Sequence, residues 1–247
     1  MPDAASRHND LDAALAEAER AYAATNPESR ARLAAARAAF PGGNTRTILY
    51  YPPFPLTIAR GAGARVWDAD GHEYVDFLGE YTAGLYGHSH PLIQAAITEA
   101  LGGGIVLGGP NEIEARLAAL ICARIPSLER VRFCNSGTEA NLLALSTARA
   151  VTGKPRVLAF EGAYHGSLLT FAGKGSPLNA PFDWLLAPYN DSEATGALID
   201  RHAGEIAAII VEPMMGASGC IPGTPEFLAS LRAAADAHGI LLVFDEV

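Results

Sequence analysis

From about His90 onward the sequence alternates helical stretches with short, almost continuously apolar runs. No other feature constrains the fold as strongly. A run such as Ala207–Val211 has no polar side to turn toward water, so as a strand it must be covered on both faces. Helices alternating with strands of this kind give a mostly parallel α/β sheet. The expected strands are Val131–Cys134, Val157–Phe160, Trp184–Pro188, Ala207–Val211 and Ile240–Asp245. The expected helices are Pro91–Leu101, Asn111–Arg124, Ser136–Val151, Glu193–His202 and Pro225–His238, with Asn111 and Glu114 spaced as a capping-box pair. In such sheets ligands bind at the carboxyl ends of the strands.

The preceding residues follow a different pattern. Two alanine-rich helices are expected, one from about Asp10 to Ala24 and one opened by Asn26-Pro27, a capping residue followed by proline at the first helical position, and closed by Pro41-Gly42-Gly43. Leu56–Arg60, Ala64–Asp68 and Glu73–Leu78 then read as short antiparallel strands, the last two joined by a turn at Asp68-Ala69-Asp70-Gly71. The expected division is therefore 1–89, helices and a small antiparallel element, and 90–247, a large α/β domain. At 49% apolar and 18% charged residues the composition is that of a globular chain, not a disordered one. A net charge of -9 argues against nucleic acid as a partner, since phosphate contacts need clustered cations. No apolar stretch is long enough to span a bilayer, and the polar first ten residues do not read as a signal peptide, so a cytoplasmic location is expected. Cys122, Cys134 and Cys220 lack the paired spacing of a zinc site, and His88-Ser89-His90 has no carboxylate at ligand spacing, so no metal is expected.

Four polar motifs fall at the carboxyl ends of different expected strands. In Asn135-Ser136-Gly137-Thr138-Glu139-Ala140-Asn141 a strand gives way to a helix, whose free N–H groups, with the Ser136 and Thr138 hydroxyls, suit an anion. Ser136 reads equally as a plain helix cap, but capping does not account for the whole run. Tyr164, in Glu161-Gly162-Ala163-Tyr164-His165-Gly166, could lie flat on a planar ligand or be an ordinary loop aromatic. Glu212 follows Val211, and Asp245 follows four apolar residues, an expensive place for a carboxylate without a cationic partner. Together they describe a site for a phosphorylated aromatic heterocycle with a protonatable nitrogen. A carboxylate beside that nitrogen favours its protonated form.

These motifs, with Val211-Glu212-Pro213 and Asp245-Glu246-Val247, resemble those of the class III, fold type I, pyridoxal phosphate-dependent aminotransferases. The resemblance runs from about residue 56 to the end of the chain. Asn44-Thr45-Arg46, Pro53-Phe54-Pro55-Leu56-Thr57, Glu80-Tyr81-Thr82-Ala83-Gly84 and Gly216–Gly223 are most similar to the branch that holds the β-phenylalanine aminotransferases, beside the glutamate-1-semialdehyde aminomutases. It implies the fold type I large domain, its parallel sheet incomplete, with the N-terminal part of the small α+β domain. It further implies pyridoxal 5'-phosphate as cofactor, with Ser136, Gly137 and Thr138 on the phosphate, Tyr164 stacked on the ring, Asp245 on the pyridinium and Val247 on the opposite face. Glu212 would lie near the site and Arg46 would bind the substrate carboxylate, although Arg46 reads equally well as a surface arginine. Amino acid and keto acid substrates and a homodimer when full length are implied as well.

Transamination needs a lysine, which this family places well downstream of Asp-Glu-Val. Of 18 Lys and Arg, only Lys154 and Lys174 are lysines. Lys154 is expected in a turn at the far end of the sheet and Lys174 in a loop, so no catalytic residue is assigned. The chain thus reads as an amino-terminal fragment, expected to be inactive and to fold poorly alone. The alternatives are an aminomutase with the same cofactor site and a non-catalytic pyridoxal phosphate-binding remnant. A dinucleotide-binding dehydrogenase is discounted, because Gly102-Gly103-Gly104 follows a helix and lacks the fingerprint spacing.

Overall fold

The structure is a computed structural model and describes residues 11–173 and 175–247. The chain divides into two compact units, with the boundary in sequence between Pro110 and Asn111. The helix that follows His90 therefore falls with the first unit, whereas the sequence-based division at 89/90 grouped it with the second. The backbone bridge between Gly63 and His88 ties the approach to that helix to the antiparallel strands.

In the first unit, α1 (Leu11–Thr25) and α2 (Pro27–Ala36) precede three antiparallel strands, β1 (Ile58–Ala62), β2 (Arg65–Asp68) and β3 (Glu73–Val75), in that order. Helix α3 (Pro91–Gly102) closes the unit. Two expectations need correction. Asn26 does not cap α2 with its side chain; its amide donates back to Tyr22 O at 2.8 Å. The cap comes from the β2–β3 turn instead, where the Asp70 carboxylate accepts from Glu28 N at 2.7 Å, Ser29 N at 3.0 Å and Ser29 Oγ at 2.9 Å. Helix α2 also stops at Ala36, short of Pro41. Phe40 precedes a proline, which disfavours helical backbone, and is extended at φ -107 and ψ 130.

The second unit contains α4 (Glu112–Arg124), α5 (Gly137–Thr152), β4 (Arg156–Phe160), β5 (Asp183–Ala187), α6 (Ser192–His202) and β6 (Ile206–Val211). A short hairpin follows, β7 (Met214–Met215) with β8 (Ile221–Pro222), then α7 (Pro225–His238) and β9 (Leu241–Phe244). Four of these strands form one sheet in the order β5-β4-β6-β9, every pair parallel, as the apolar runs require. All six residues of β6 are buried. Each fully buried Ile or Val there stabilises the fold by about 1.5–3 kcal/mol relative to exposure. Leu145 and Ala148 of α5 and Phe227, Leu231 and Ala235 of α7 belong to the same core. The expected strand Val131–Cys134 is a correction. The segment enters no ladder among the described residues, and its Phe133 is exposed. An apolar run predicts a strand only where a neighbour supplies the hydrogen bonds.

Helix starts follow the sequence closely. Asn111, Ser136, Asp191 and Thr224 each accept from the backbone N–H three residues on. At the amino-terminal end of β4, Lys154 Nζ donates to Ala203 O at 3.1 Å, His238 O at 3.0 Å and Gly239 O at 3.4 Å. It binds the carboxyl ends of α6 and α7 together, where a cation meets unpaired carbonyls and the negative helix pole. Replacing Lys154 with methionine keeps the aliphatic stem and removes the donors. Urea denaturation of K154M should show a loss of about 1–2 kcal/mol, with arginine restoring part of it.

Candidate functional site

Helix α5 provides the floor of the site. Ser136 is its N-cap, and its Oγ accepts from Glu139 N at 3.1 Å. Thr138, in the first turn, accepts through Oγ1 from Ser167 N at 3.2 Å. In both hydroxyls one lone pair is engaged and the O–H remains a donor. The two donors stand beside the N–H groups of the first turn, which have no partner inside a helix. Capping and anion binding, offered by the sequence as competing roles for Ser136, are thus compatible.

The loop after β4 closes onto this turn. Gly166 has φ +118, and a β-carbon built on it would lie 2.1 Å from Thr138 Oγ1. Only glycine lets the two backbones meet there. On the other side, a β-carbon on Gly137 would stand 3.1 Å from Val247 Cγ2. Gly137 therefore admits the end of the segment after β9 against the helix start.

Behind the floor lies a buried polar cluster. Asp245 Oδ2 accepts from Asn141 Nδ2 at 2.8 Å and is 2.8 Å from His165 Nδ1. Asn141 Nδ2 also donates to His165 O at 3.0 Å. Asp245 Oδ1 receives one bond, from Val247 N at 3.2 Å. Burial alone would push the Asp245 carboxyl up. The hydrogen bond from His165 and those from Val247 N–H and Asn141 outweigh it and hold the group below the usual carboxylate range. Asp245 is 7% exposed, His165 2% and Asn141 6%, so a charge is retained at a nearly dry position only because donors surround it.

Glu212, at the end of β6, accepts through Oε1 from Tyr164 N at 3.0 Å and through Oε2 from Gly216 N at 3.0 Å. The Tyr164 backbone is thereby fixed while its side chain stays open to solvent. A second tie runs from Ser218 Oγ to Gly162 O at 2.7 Å. Ser136, Gly137, Thr138, Tyr164, Glu212, Asp245 and Val247 are brought together by these contacts, all inside the second unit. Arg46 lies in the first unit, ion-paired with Glu80. That unit also holds a cavity of about 510 Å³, lined in part by Leu33, Asn44, Tyr51, Leu56 and Glu80.

Comparison with known proteins decides the family. Residues 50–247 match the model of Aminotransferase class-III. The chain belongs to the class-III aminotransferases. It is 55% identical over 240 residues to a beta-phenylalanine transaminase of Variovorax paradoxus, covering 97% of this chain and 55% of that protein. A glutamate-1-semialdehyde 2,1-aminomutase of Dichelobacter nodosus is 43% identical over 208 residues, covering 78% of this chain and 49% of that one. The crystal structure of a beta-phenylalanine aminotransferase from Variovorax paradoxus superposes with a TM-score of 0.92 at 55% identity, over 95% of this chain and 54% of that chain. The chain spans about half the length of the curated relatives it matches. The expected fold type I architecture and the expected branch of the class-III aminotransferases are both borne out.

Three residues of this class-III chain that the sequence did not single out join the site. His165 and Gly166 stood within the tyrosine motif unassigned. Asn141 carried its own signal, since it shares one helical stripe with buried Leu145 and Ala148, four and seven residues on. A polar residue on an apolar stripe needs a buried partner.

The residues present fit pyridoxal phosphate. A helix start with two free O–H donors suits a phosphate. Asp245 Oδ1, with one 3.2 Å bond, can take a cationic N–H. Among the described residues no group of His, Cys, Asp and Glu could hold a metal ion, and no helix is long and apolar enough to cross a membrane.

Proposed function

We propose that this chain carries the cofactor-binding part of a pyridoxal phosphate-dependent aminotransferase that moves an amino group from a β-amino acid such as β-phenylalanine to a keto acid. The single observation that carries the reading is the convergence, on one helix start, of two hydroxyl donors, an open tyrosine ring and a buried ionised carboxylate. Ser136, Gly137 and Thr138 hold the phosphate, and Tyr164 and Val247 flank the ring. Asp245 keeps the ring nitrogen protonated by offering it a fixed negative charge. Bound pyridoxal phosphate supplies an electron sink for charge developing on the amino acid. Glu212 sets the height of Tyr164 over the ring through the backbone. Arg46 is the residue we assign to the substrate carboxylate, for which a guanidinium fork is well shaped. The imine-forming lysine is not Lys154, whose amine is spent on three carbonyls; Lys174 lies outside the described residues. We further propose a cytoplasmic homodimer for the complete enzyme and no transaminase turnover from this chain alone.

Titration of the chain with pyridoxal phosphate, followed by cofactor absorbance and intrinsic fluorescence, tests the reading. Saturable binding is expected, with pyridoxal lacking the phosphate held at least about tenfold more weakly, the equivalent of one good charge-assisted hydrogen bond. Equal affinity for the two compounds would remove the phosphate site. The similarity to an aminomutase supports a second reading, in which the amino group returns to the same carbon skeleton. Transfer of labelled nitrogen to a separate keto acid by the complete enzyme separates the two.

A further inference from the structure

We propose that His165 is a positioning residue for the cofactor ring, acting through Asp245: it holds its proton on Nδ1, directs it to Asp245 Oδ2, and so leaves Oδ1 as the oxygen presented to the ring nitrogen. This rests on the reading of Asp245 as the partner of that nitrogen. The geometry fixes the assignment step by step. An ionised carboxylate only accepts, so the 2.8 Å contact requires a proton on His165 Nδ1. Asn141 Nδ2 spends its two protons on Asp245 Oδ2 and His165 O, which also fixes which way its amide faces. Both inward donors therefore fall on the same oxygen. Among the described residues Oδ1 keeps only the bond from Val247 N, two residues along the same chain. The three side chains come from α5, the loop after β4 and the end of β9, so the carboxylate cannot rotate without breaking bonds to two separate elements.

His165 is also the ionisable neighbour that acts on Asp245. Its side chain is fully buried, and its Nε2 is buried without a hydrogen-bond partner among the described residues. A ring present only to fill space would gain nothing from such a nitrogen, because an unpaired buried polar atom is costly. Phe171 lies edge-on to the His165 ring, with centroids 6.3 Å apart, so one neighbour of the ring is a plain aromatic. What histidine adds over phenylalanine is the Nδ1 proton.

The test compares His165→Phe, which keeps an aromatic ring but loses the donor, with His165→Asn, whose amide N–H can replace Nδ1–H. Carbon-13 NMR of the Asp245 carboxyl, in the 247-residue chain without cofactor, should show its titration moving up by about one unit or more in H165F and staying near wild type in H165N. With cofactor, H165F should weaken pyridoxal phosphate binding about tenfold or more, and nitrogen-15 NMR should find the bound ring nitrogen losing its proton at lower pH. H165N should restore both. A purely structural role would change stability in H165F and leave the Asp245 titration in place, and that result overturns the proposal. If H165F does not fold, nitrogen-15 spectra of wild-type His165 decide, since an Nδ1 without a proton overturns the assignment and a protonated Nδ1 supports it. A wild-type chain that binds no pyridoxal phosphate would sink the proposed function, and the carboxyl titration would still decide the role of His165.

Discussion

Gly166→Ala is expected to abolish pyridoxal phosphate binding and to lower the melting temperature by roughly 5–20 °C. Two effects act together. At φ +118 an alanine is strained, at a cost of about 1–3 kcal/mol. Its β-carbon would also fall 2.1 Å from Thr138 Oγ1, with the Thr138 Cα and Cβ each 2.8 Å away. No rotamer change clears a Cα, so the loop must back away from α5, at about another 1–3 kcal/mol for an overpacked contact. In moving, it breaks the Ser167 N to Thr138 Oγ1 bond and opens the proposed phosphate cup. Gly204→Ala is the control, since a β-carbon there meets nothing within 4 Å. Thermal melts followed by circular dichroism, together with cofactor titration, measure both outcomes. A G166A chain that melts with wild type and binds normally would show that the cup does not depend on this contact.

The second large effect is expected at Asp245. In Asp245→Asn one oxygen can still accept from His165 and Asn141, so the fold should survive at neutral pH. On the proposed reading, the other end of the side chain becomes a neutral NH2 donor, which carries no negative charge to keep the ring nitrogen protonated. Loss of a charge-assisted bond of about 1.5–3 kcal/mol corresponds to a roughly 10- to 100-fold rise in the pyridoxal phosphate dissociation constant. A pH signature accompanies it. The Asp245 carboxyl lies below its ordinary value in the folded chain, so its stabilising contribution is complete above the unfolded value and is lost as pH falls through the folded one. Denaturation at stepped acidic pH should find the D245N profile flatter than wild type over that window. Identical profiles would mean that Asp245 is not held ionised by the fold.

How far these features can be read from sequence depends on what determines each of them. The parallel strands are legible because Ile206–Val211 is apolar at every position, which no half-exposed strand would be. The helix starts at Asn111 and Ser136 are legible because each cap reaches only three residues along its own chain. The cap on α2 is not, because its carboxylate, Asp70, sits more than forty residues away on a strand turn. Val131–Cys134 has a strand's composition but no partner among the described residues. The residues proposed for the cofactor could be listed from their motifs. The direction in which Asp245 presents its charge could not, since Asn141 and His165 set it from other elements. Glu212 shows the same limit, as its position in the chain suggested a site residue while its two backbone partners emerged only from the fold.

That double bond from Glu212 has a mechanical consequence. One side chain at the tip of β6 carries the loop after β4 on one oxygen and the β7–β8 hairpin on the other, and Ser218 fastens the same two segments again at Gly162. The two segments are therefore a single lever with two pins. A force on the exposed hairpin is transmitted to the backbone of Tyr164, so changes well away from the cup can tilt the surface on which a ring would rest.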